Sequence, residues 1–319
     1  MGGRISKQGR KPFFIIKKKK NGDGCPMCPN NTEYAYADTI RDANFSWLEG
    51  RSVSADDFYP VTRHVEGVDH VCILMHDIYK YILRGNTKTP LTSSFKRCLH
   101  IGSGHYIWLI EMANENSEIQ FEGFDLAPKP EIINMPKNAT FTHGNIFDGG
   151  LPYPDEYFDY VNVRSFLTWL PSDKISFVIK EIRRVLKRGG RVEILETDIF
   201  VKNGTLYYEE NLGKIWKELC NFRGYDATNI IRLDRLLLEK GFSGIKMSKL
   251  SIPLGYGGDV GDLYAEVFIT ATMTIASVMM EKLNMTKDEI QEYLQRCVAG
   301  LSINQSYTNS YLVMGMKNF

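Results

Sequence analysis

From Arg97 onward, short apolar runs alternate with amphipathic stretches, and that alternation leaves few architectures open. A chain that switches repeatedly between period two and period 3.6 builds parallel strands joined by helices, with helices covering both faces of the sheet. The spacing predicts strands over 97–101 (RCLHI), 120–125 (QFEGFD), 140–143 (TFTH), 158–163 (FDYVNV) and 191–197 (RVEILET). Between them, 108–114 and 172–187 read as the clearest helices, the second stopped by Gly189-Gly190. A helical stretch over 209–240 leads to a sixth strand, 245–254, and YLVMGMK at 311–317 reads as a seventh.

Three regions follow from the composition shifts. Residues 1–33 are rich in Gly, Lys, Asn and Pro without an apolar period, which predicts a disordered basic tail. Residues 34–90 read as a helical lead-in or cap, in which Ile73, Leu74, Ile78, Ile82 and Leu83 share one helical face. Residues 91–319 carry the main domain, with an insertion at 255–309 expected to hold two helices. Its apolar stripe of Val267, Ile269, Met273, Ile275, Val278 and Met279 suits a substrate wall, a dimer face or core, and core is the expectation.

Charge narrows the partners. The net charge is +1, yet residues 1–20 carry eight Lys or Arg and no acid, leaving 31 basic against 38 acidic side chains elsewhere. A body near −7 disfavours nucleic acid, whose binding depends on phosphate neutralisation. The six cysteines are scattered, no signal-type apolar region follows Met1, and the longest weakly polar run, 267–280, is too short and too polar to span a bilayer. These features predict a cytoplasmic protein with reduced thiols. Cys25 and Cys28 make half a zinc site, so no metal is expected.

The chemistry concentrates where the first predicted strand runs into Gly102-Ser103-Gly104 and then a helix. Such a bend lets a nucleotide-like ligand touch backbone at the carboxyl edge of a sheet; a ligand-free tight turn is the plain alternative. Asp125 ends the next strand 21 residues after Gly104, where a carboxylate can accept both ribose hydroxyls of an adenosine. A dinucleotide site wants Gly or Ala at the third motif position, for close approach of the pyrophosphate. Ile107 stands there, which disfavours an NAD-dependent oxidoreductase.

The blocks RCLHIGSGHYIWLIEMANENSEIQFEGFDLAP (97–128), HGNIFDGGLPYPDEYFDYVNVRSF (143–166) and EIRRVLKRGGRVEILE (181–196) resemble class I S-adenosylmethionine-dependent methyltransferases in order and spacing. More narrowly, the G-x-G-x-x-x-W, G-x-D-L-x-P, F-D-x-x-x-x-R and late P-L-G segments resemble the fungal LaeA-type methyltransferases, over about residues 60–318. The resemblance implies an α/β, Rossmann-like, seven-stranded mixed sheet with the helical lead-in before it and the helical insertion before its last strand. S-adenosyl-L-methionine is the implied cofactor. Carried over by position, Gly102, Ser103 and Gly104 would hold its methionine part, Asp125 its ribose and Leu126 a flank of its adenine. Asn145 and Ile146 would meet the adenine edge, and Arg164 would stand at the cofactor mouth, a surface salt bridge being its plain reading. Three positions depart from the family: His100 replaces an acid, Tyr106 a small residue and Asn145 an acid. Asn145 can still accept from and donate to adenine, whereas a protonated His100 would repel a sulfonium.

No catalytic base is assigned. His64, His70, His76, His105 and His143 are the remaining imidazoles, and each is more often structural than catalytic. Two readings of the whole stay open: a methyltransferase acting on a small or lipid-like acceptor, or a regulatory protein of methyltransferase fold acting through protein partners, as the LaeA-type resemblance also implies. At the amino end, MGGRIS fits a myristoylation pattern at Gly2, and Lys17–Lys20 would supply the electrostatic half of a membrane-surface anchor. A solvated basic tail or a nuclear import signal accounts for the same residues.

Overall fold

The computed structural model describes residues 45–48, 51–54, 68–104, 106–126, 135–222 and 224–318. The predicted tail, Gly2, Lys17–Lys20, Cys25, Cys28, His64 and His105 lie outside the described residues. Two short strands, β1 (Phe45–Leu48) and β2 (Arg51–Ser54), pair as a ribbon, so this part of the expected helical lead-in is extended. The helical part is α1 (Val68–Leu83), whose Leu74, Ile78, Tyr79 and Leu83 are buried.

Seven strands form the sheet: β3 (Arg97–Ile101), β4 (Gln120–Asp125), β5 (Ala139–His143), β6 (Phe158–Arg164), β7 (Leu186–Thr197), β8 (Phe242–Pro253) and β9 (Tyr307–Lys317). Their order is β5-β4-β3-β6-β7-β9-β8, with β9 antiparallel to both neighbours and the other pairings parallel. The order reverses beside β3, so its carboxyl end opens at a switch point, where α/β sheets bind ligands. The mixed seven-stranded sheet of the sequence reading is thus present, every predicted strand in its place.

Helices cover both faces. Beneath one lie α3 (Ser172–Val185) and α7 (Leu233–Glu239), whose Val178, Ile182, Leu233 and Leu237 pack on Val161, Val163, Val192 and Ile194. In α3 the buried positions 175, 178, 179, 182 and 185 follow the helical period. On the other face, α2 (Ile107–Glu115) sets Trp108, Leu109 and Met112 on Cys98, Phe121 and Tyr160. Each such apolar side chain, fully buried, contributes about 1.5–3 kcal/mol.

Three expectations about the elements need correction. Gly189-Gly190 does not stop a helix: α3 ends at Val185, Leu186 is already extended, and both glycines lie inside β7, where Gly189 takes φ 73°. The ladder between β6 and β7 shifts register there, and glycine tolerates the irregularity. The insertion holds three helices instead of two: α8 (Asp259–Met273), α9 (Ala276–Leu283) and α10 (Lys287–Ile303). Asn284 at φ 52° terminates α9, and the Thr286–Glu289 capping box starts α10 two residues later. The region expected as one helical stretch over 209–240 is likewise four pieces, α4 (Leu206–Glu210), α5 (Leu212–Phe222), α6 (Ala227–Ile231) and α7. Val267, Ile275 and Met279 of the insertion are buried in one cluster with Leu195, Leu312 and α1, and Ile269, Met273 and Val278 pack against it, so the apolar stripe is core.

Candidate cofactor site

β3 ends at Ile101 and the chain bends at once. Gly102 takes φ 71° and gives its N–H to the Phe124 carbonyl at 2.9 Å. A β-carbon on Gly102 would lie 2.9 Å from the side chain of Phe166, so the bend requires both the left-handed backbone and the missing side chain. Gly104 donates its N–H to Asp125 Oδ2 at 2.9 Å. Among the described residues a β-carbon on Gly104 would meet nothing closer than the Gly102 carbonyl at 4.0 Å. Asp125 is only 2% exposed, and its carbonyl accepts the Gly144 N–H at 2.9 Å. The ends of β3, β4 and β5 therefore converge, bringing together the glycine loop, the carboxylate and the 144–146 turn. A side-chain-free bend beside a carboxylate suits an adenosine whose ribose meets the acid while its substituent crosses bare backbone.

The flanking residues are placed less uniformly. Leu126, half-buried, directly follows Asp125. Ile146 packs into the core beside Phe124, and Asn145 Oδ1 accepts the Phe147 N–H at 3.0 Å, which fixes the turn. Tyr106 caps the start of α2 at φ 62°, a left-handed backbone that explains why a small residue is usual there; its ring is buried edge-on to Phe141 at 4.7 Å.

His100 and Arg164 lie inside the protein. His100 is 4% exposed, and its ring stands 4.5 Å from that of Trp108. Burial, reinforced by the neighbouring Arg164 and His76, holds the imidazole well below its usual range, so it is neutral and the feared repulsion of a sulfonium does not arise. Arg164 is 7% exposed and is no surface salt bridge: one guanidinium nitrogen donates to the Asn86 carbonyl, and the group lies 5.5 Å from the Trp108 ring centre.

Several residues that organise the site had no site role assigned from the sequence. Glu196, fully buried, accepts the N–H groups of Phe166, Leu167 and Thr168, each at 3.0 Å, and thereby shapes the turn that sets Phe166 on Gly102. Burial pushes its carboxyl up, opposed by those donors. The Tyr79 hydroxyl joins Ser165 and Thr197 at 3.1 and 2.5 Å, tying α1 to the ends of β6 and β7. Trp108 Nε1 donates to the Asn86 carbonyl at 2.7 Å. The available signal was the pair of acids inside the apolar run VEILET, since buried carboxylates in a strand demand donors. Of the described histidines, His70 pairs with Glu266, His76 with Glu111, and His143 is exposed at the end of β5. Among the described residues no group of three or more His, Cys, Asp or Glu could hold a metal ion.

Residues 99–194 match the family described as methyltransferase domain. The chain is 37% identical over 102 residues to a demethylmenaquinone methyltransferase of Bacillus licheniformis, covering 30% of this chain and 41% of that one. It is 29% identical over 106 residues to the secondary metabolism regulator laeA of Coprinopsis cinerea, covering 33% of this chain and 26% of that one. The chain thus spans less than half the length of these curated relatives. In fold it is similar to phosphoethanolamine N-methyltransferase 2 of Haemonchus contortus, solved with S-adenosyl-L-methionine, with a TM-score of 0.51 at 18% identity over 85% of this chain and 62% of that chain. Strand order, the glycine bend beside Asp125 and the match over residues 99–194 agree: this region is similar to methyltransferase domains, and the chain has the fold of class I, S-adenosylmethionine-dependent methyltransferases.

Proposed function

We propose that this protein is an S-adenosylmethionine-dependent methyltransferase acting on a small or lipid-like acceptor. The reading rests on the 2.9 Å bond from Gly104 N–H to Asp125, which joins a bare backbone surface to a carboxylate suited to ribose. Gly102, Ser103 and Gly104 would carry the methionine part, Asp125 the ribose, and Leu126, Asn145 and Ile146 the adenine, with His100 and Arg164 beneath the loop. The cofactor supplies a sulfonium-bound methyl group, open to in-line displacement. The protein's part is alignment and exclusion of water, which suits a reaction that relieves charge at the leaving group. A neutral His100 adds no like charge below the sulfonium.

The acceptor class is supported by the acidic body, which disfavours nucleic acid, and by the demethylmenaquinone methyltransferase relative, whose named substrate is lipid-like. α1 and the insertion pack on each other beside the end of β7 and the start of β9, which supports a role for them in walling an acceptor pocket. The laeA relative favours a second reading, a regulator that binds the cofactor and acts through a protein partner. Calorimetric titration with S-adenosylmethionine, S-adenosylhomocysteine and NAD, on wild type and Asp125→Ala, tests the assignment. Binding of the first two, lost in the variant, is expected; absence of binding by either sinks it.

Membrane contact through acylation of Gly2, assisted by Lys17–Lys20, belongs to the same proposal. No described helix is long and apolar enough to cross a membrane. Intact-mass measurement on protein from a eukaryotic host is expected to show the added acyl chain, and an unmodified Gly2 disposes of it.

A further inference from the structure

Under α2, the sheet is polar where a sheet covered by a helix is ordinarily apolar. His100 on β3 is in register with Asn162 on β6, and Arg164, two residues on, faces the same way. Ser103 Oγ lies 3.0 Å from where a β-carbon on Gly123 would sit, which places it in the same layer. All four side chains are buried. Yet both ring nitrogens of His100, Ser103 Oγ, Asn162 Oδ1, Arg164 Nε and Nη1 and Asn86 Oδ1 have no hydrogen-bond partner among the described residues. Each orphaned buried group costs about 1–3 kcal/mol, so a cluster of them marks a place that a polar ligand or ordered water fills.

The charge of that place selects the ligand. Arg164 is its cation, and His100 beside it is neutral. Glu193, in register with Asn162, and Glu111 offset part of the Arg164 charge, but neither takes one of its donors: Glu193 accepts the Thr87 hydroxyl and the Lys88 and Thr89 N–H groups, and Glu111 accepts His76, Lys80 and Asn86. The position that would carry an acid for an ammonium group carries His100 instead. A buried guanidinium with unused donors, beside the unpaired polar groups of His100, Ser103 and Asn162, recognises a carboxylate.

We infer that this cluster receives the carboxylate of the cofactor's methionine end, with Arg164 as the specificity-determining group and His100 beside it, in place of recognition of the ammonium group by an acid at position 100. The inference rests on the cofactor assignment above and adds that the protein reads the amino acid by its carboxylate. Removing that carboxylate should therefore cost more than an ordinary contact.

The probes are S-adenosylmethionine and its decarboxylated analogue, which keeps the sulfonium and the amine, with affinities measured by calorimetry. Wild type is expected to bind the analogue about 10–100-fold more weakly, the range of one charge-assisted hydrogen bond. Arg164→Gln should weaken S-adenosylmethionine by a similar factor and leave the analogue nearly unchanged, so that the preference collapses. His100→Asp, which sets a buried carboxylate against Arg164, should erode the preference as well, and it keeps the test alive if Arg164→Gln does not fold. Equal binding of both probes by wild type, or a preference that survives both substitutions, overturns the inference and leaves only water in the cluster. Wild type that binds neither probe defeats the cofactor assignment itself.

Discussion

The side chain of Phe166 occupies the space that a β-carbon on Gly102 would need, 2.9 Å away, whereas among the described residues one on Gly104 would meet nothing closer than 4.0 Å. The two glycines of one motif thus have different jobs. Gly102→Ala must displace Phe166 and adopt φ 71°, and we expect a loss of about 2–4 kcal/mol of stability, combining overpacking with left-handed strain. Gly104→Ala meets only the backbone cost, about 1–2 kcal/mol, but its methyl group would stand on the bare backbone proposed to carry the cofactor. It should lose S-adenosylhomocysteine affinity out of proportion to stability. Chemical denaturation paired with calorimetry reads both quantities, and equal stability losses in the two variants would contradict the division of roles.

The Glu111 carboxylate ties α2 to α1. Burial alone would raise it, but hydrogen bonds from His76, Lys80 and Asn86 outweigh burial and bring it down to about 2. A depressed carboxyl contributes stability above its unfolded value, near 4.5, that is lost as pH falls toward about 2. Wild type should therefore lose stability between pH 4.5 and 2 more steeply than Glu111→Gln, with a difference on the order of 1–2 kcal/mol after screening at this partly exposed site. Urea unfolding across that range is the measurement. Parallel curves for the two proteins would show that the carboxylate is not held as described.

Much of this was legible in the sequence, and the reason is periodicity. Strands β3, β4 and β6 are short apolar runs bounded by turn residues, and Gly102, Gly104 and Asp125 are adjacent in space because β3 and β4 pair directly. What was not legible depends on side chains that meet across long sequence separations. That Arg164 is buried follows from the Asn86 carbonyl and Trp108 converging on it, which no local pattern announces. The misplaced helix stop at Gly189-Gly190 has a local cause: a double glycine signals a helix end and a strand irregularity equally well, and only the β6 pairing decides. The third helix of the insertion was hidden because Asn284 and Thr286 separate two helices with almost no loop.

Glu193, fully buried in β7, holds the segment after α1 by accepting the Thr87 hydroxyl at 2.8 Å and the Lys88 and Thr89 N–H groups at 3.0 and 2.7 Å. The same segment carries Asn86, whose carbonyl binds Arg164 and Trp108. Glu193→Leu removes the acceptor for three donors, and we expect a loss of about 3 kcal/mol or more from the unpaired groups. Amide hydrogen exchange at Lys88 and Thr89 should accelerate at least tenfold relative to the centre of the sheet. Unchanged protection of these two amides would mean that the segment is held by other contacts.

Tyr106 offers the sharpest test of backbone strain at the loop. At φ 62° a residue with a β-carbon bears about 1–2 kcal/mol that glycine escapes, while the buried ring, edge-on to Phe141, returns more than that in packing. Tyr106→Ala loses the ring and keeps the strain, so it should cost about 3–5 kcal/mol, the range for truncating a buried aromatic. Tyr106→Gly loses the ring and sheds the strain, and it should be about 1 kcal/mol more stable than the alanine variant. At an ordinary helix position the order is the reverse, because glycine there is less stable than alanine by a similar amount. Denaturation midpoints for the two variants therefore report the backbone conformation at residue 106 directly: alanine above glycine would place Tyr106 in the right-handed region and remove the physical reason for a small residue at this point of the loop.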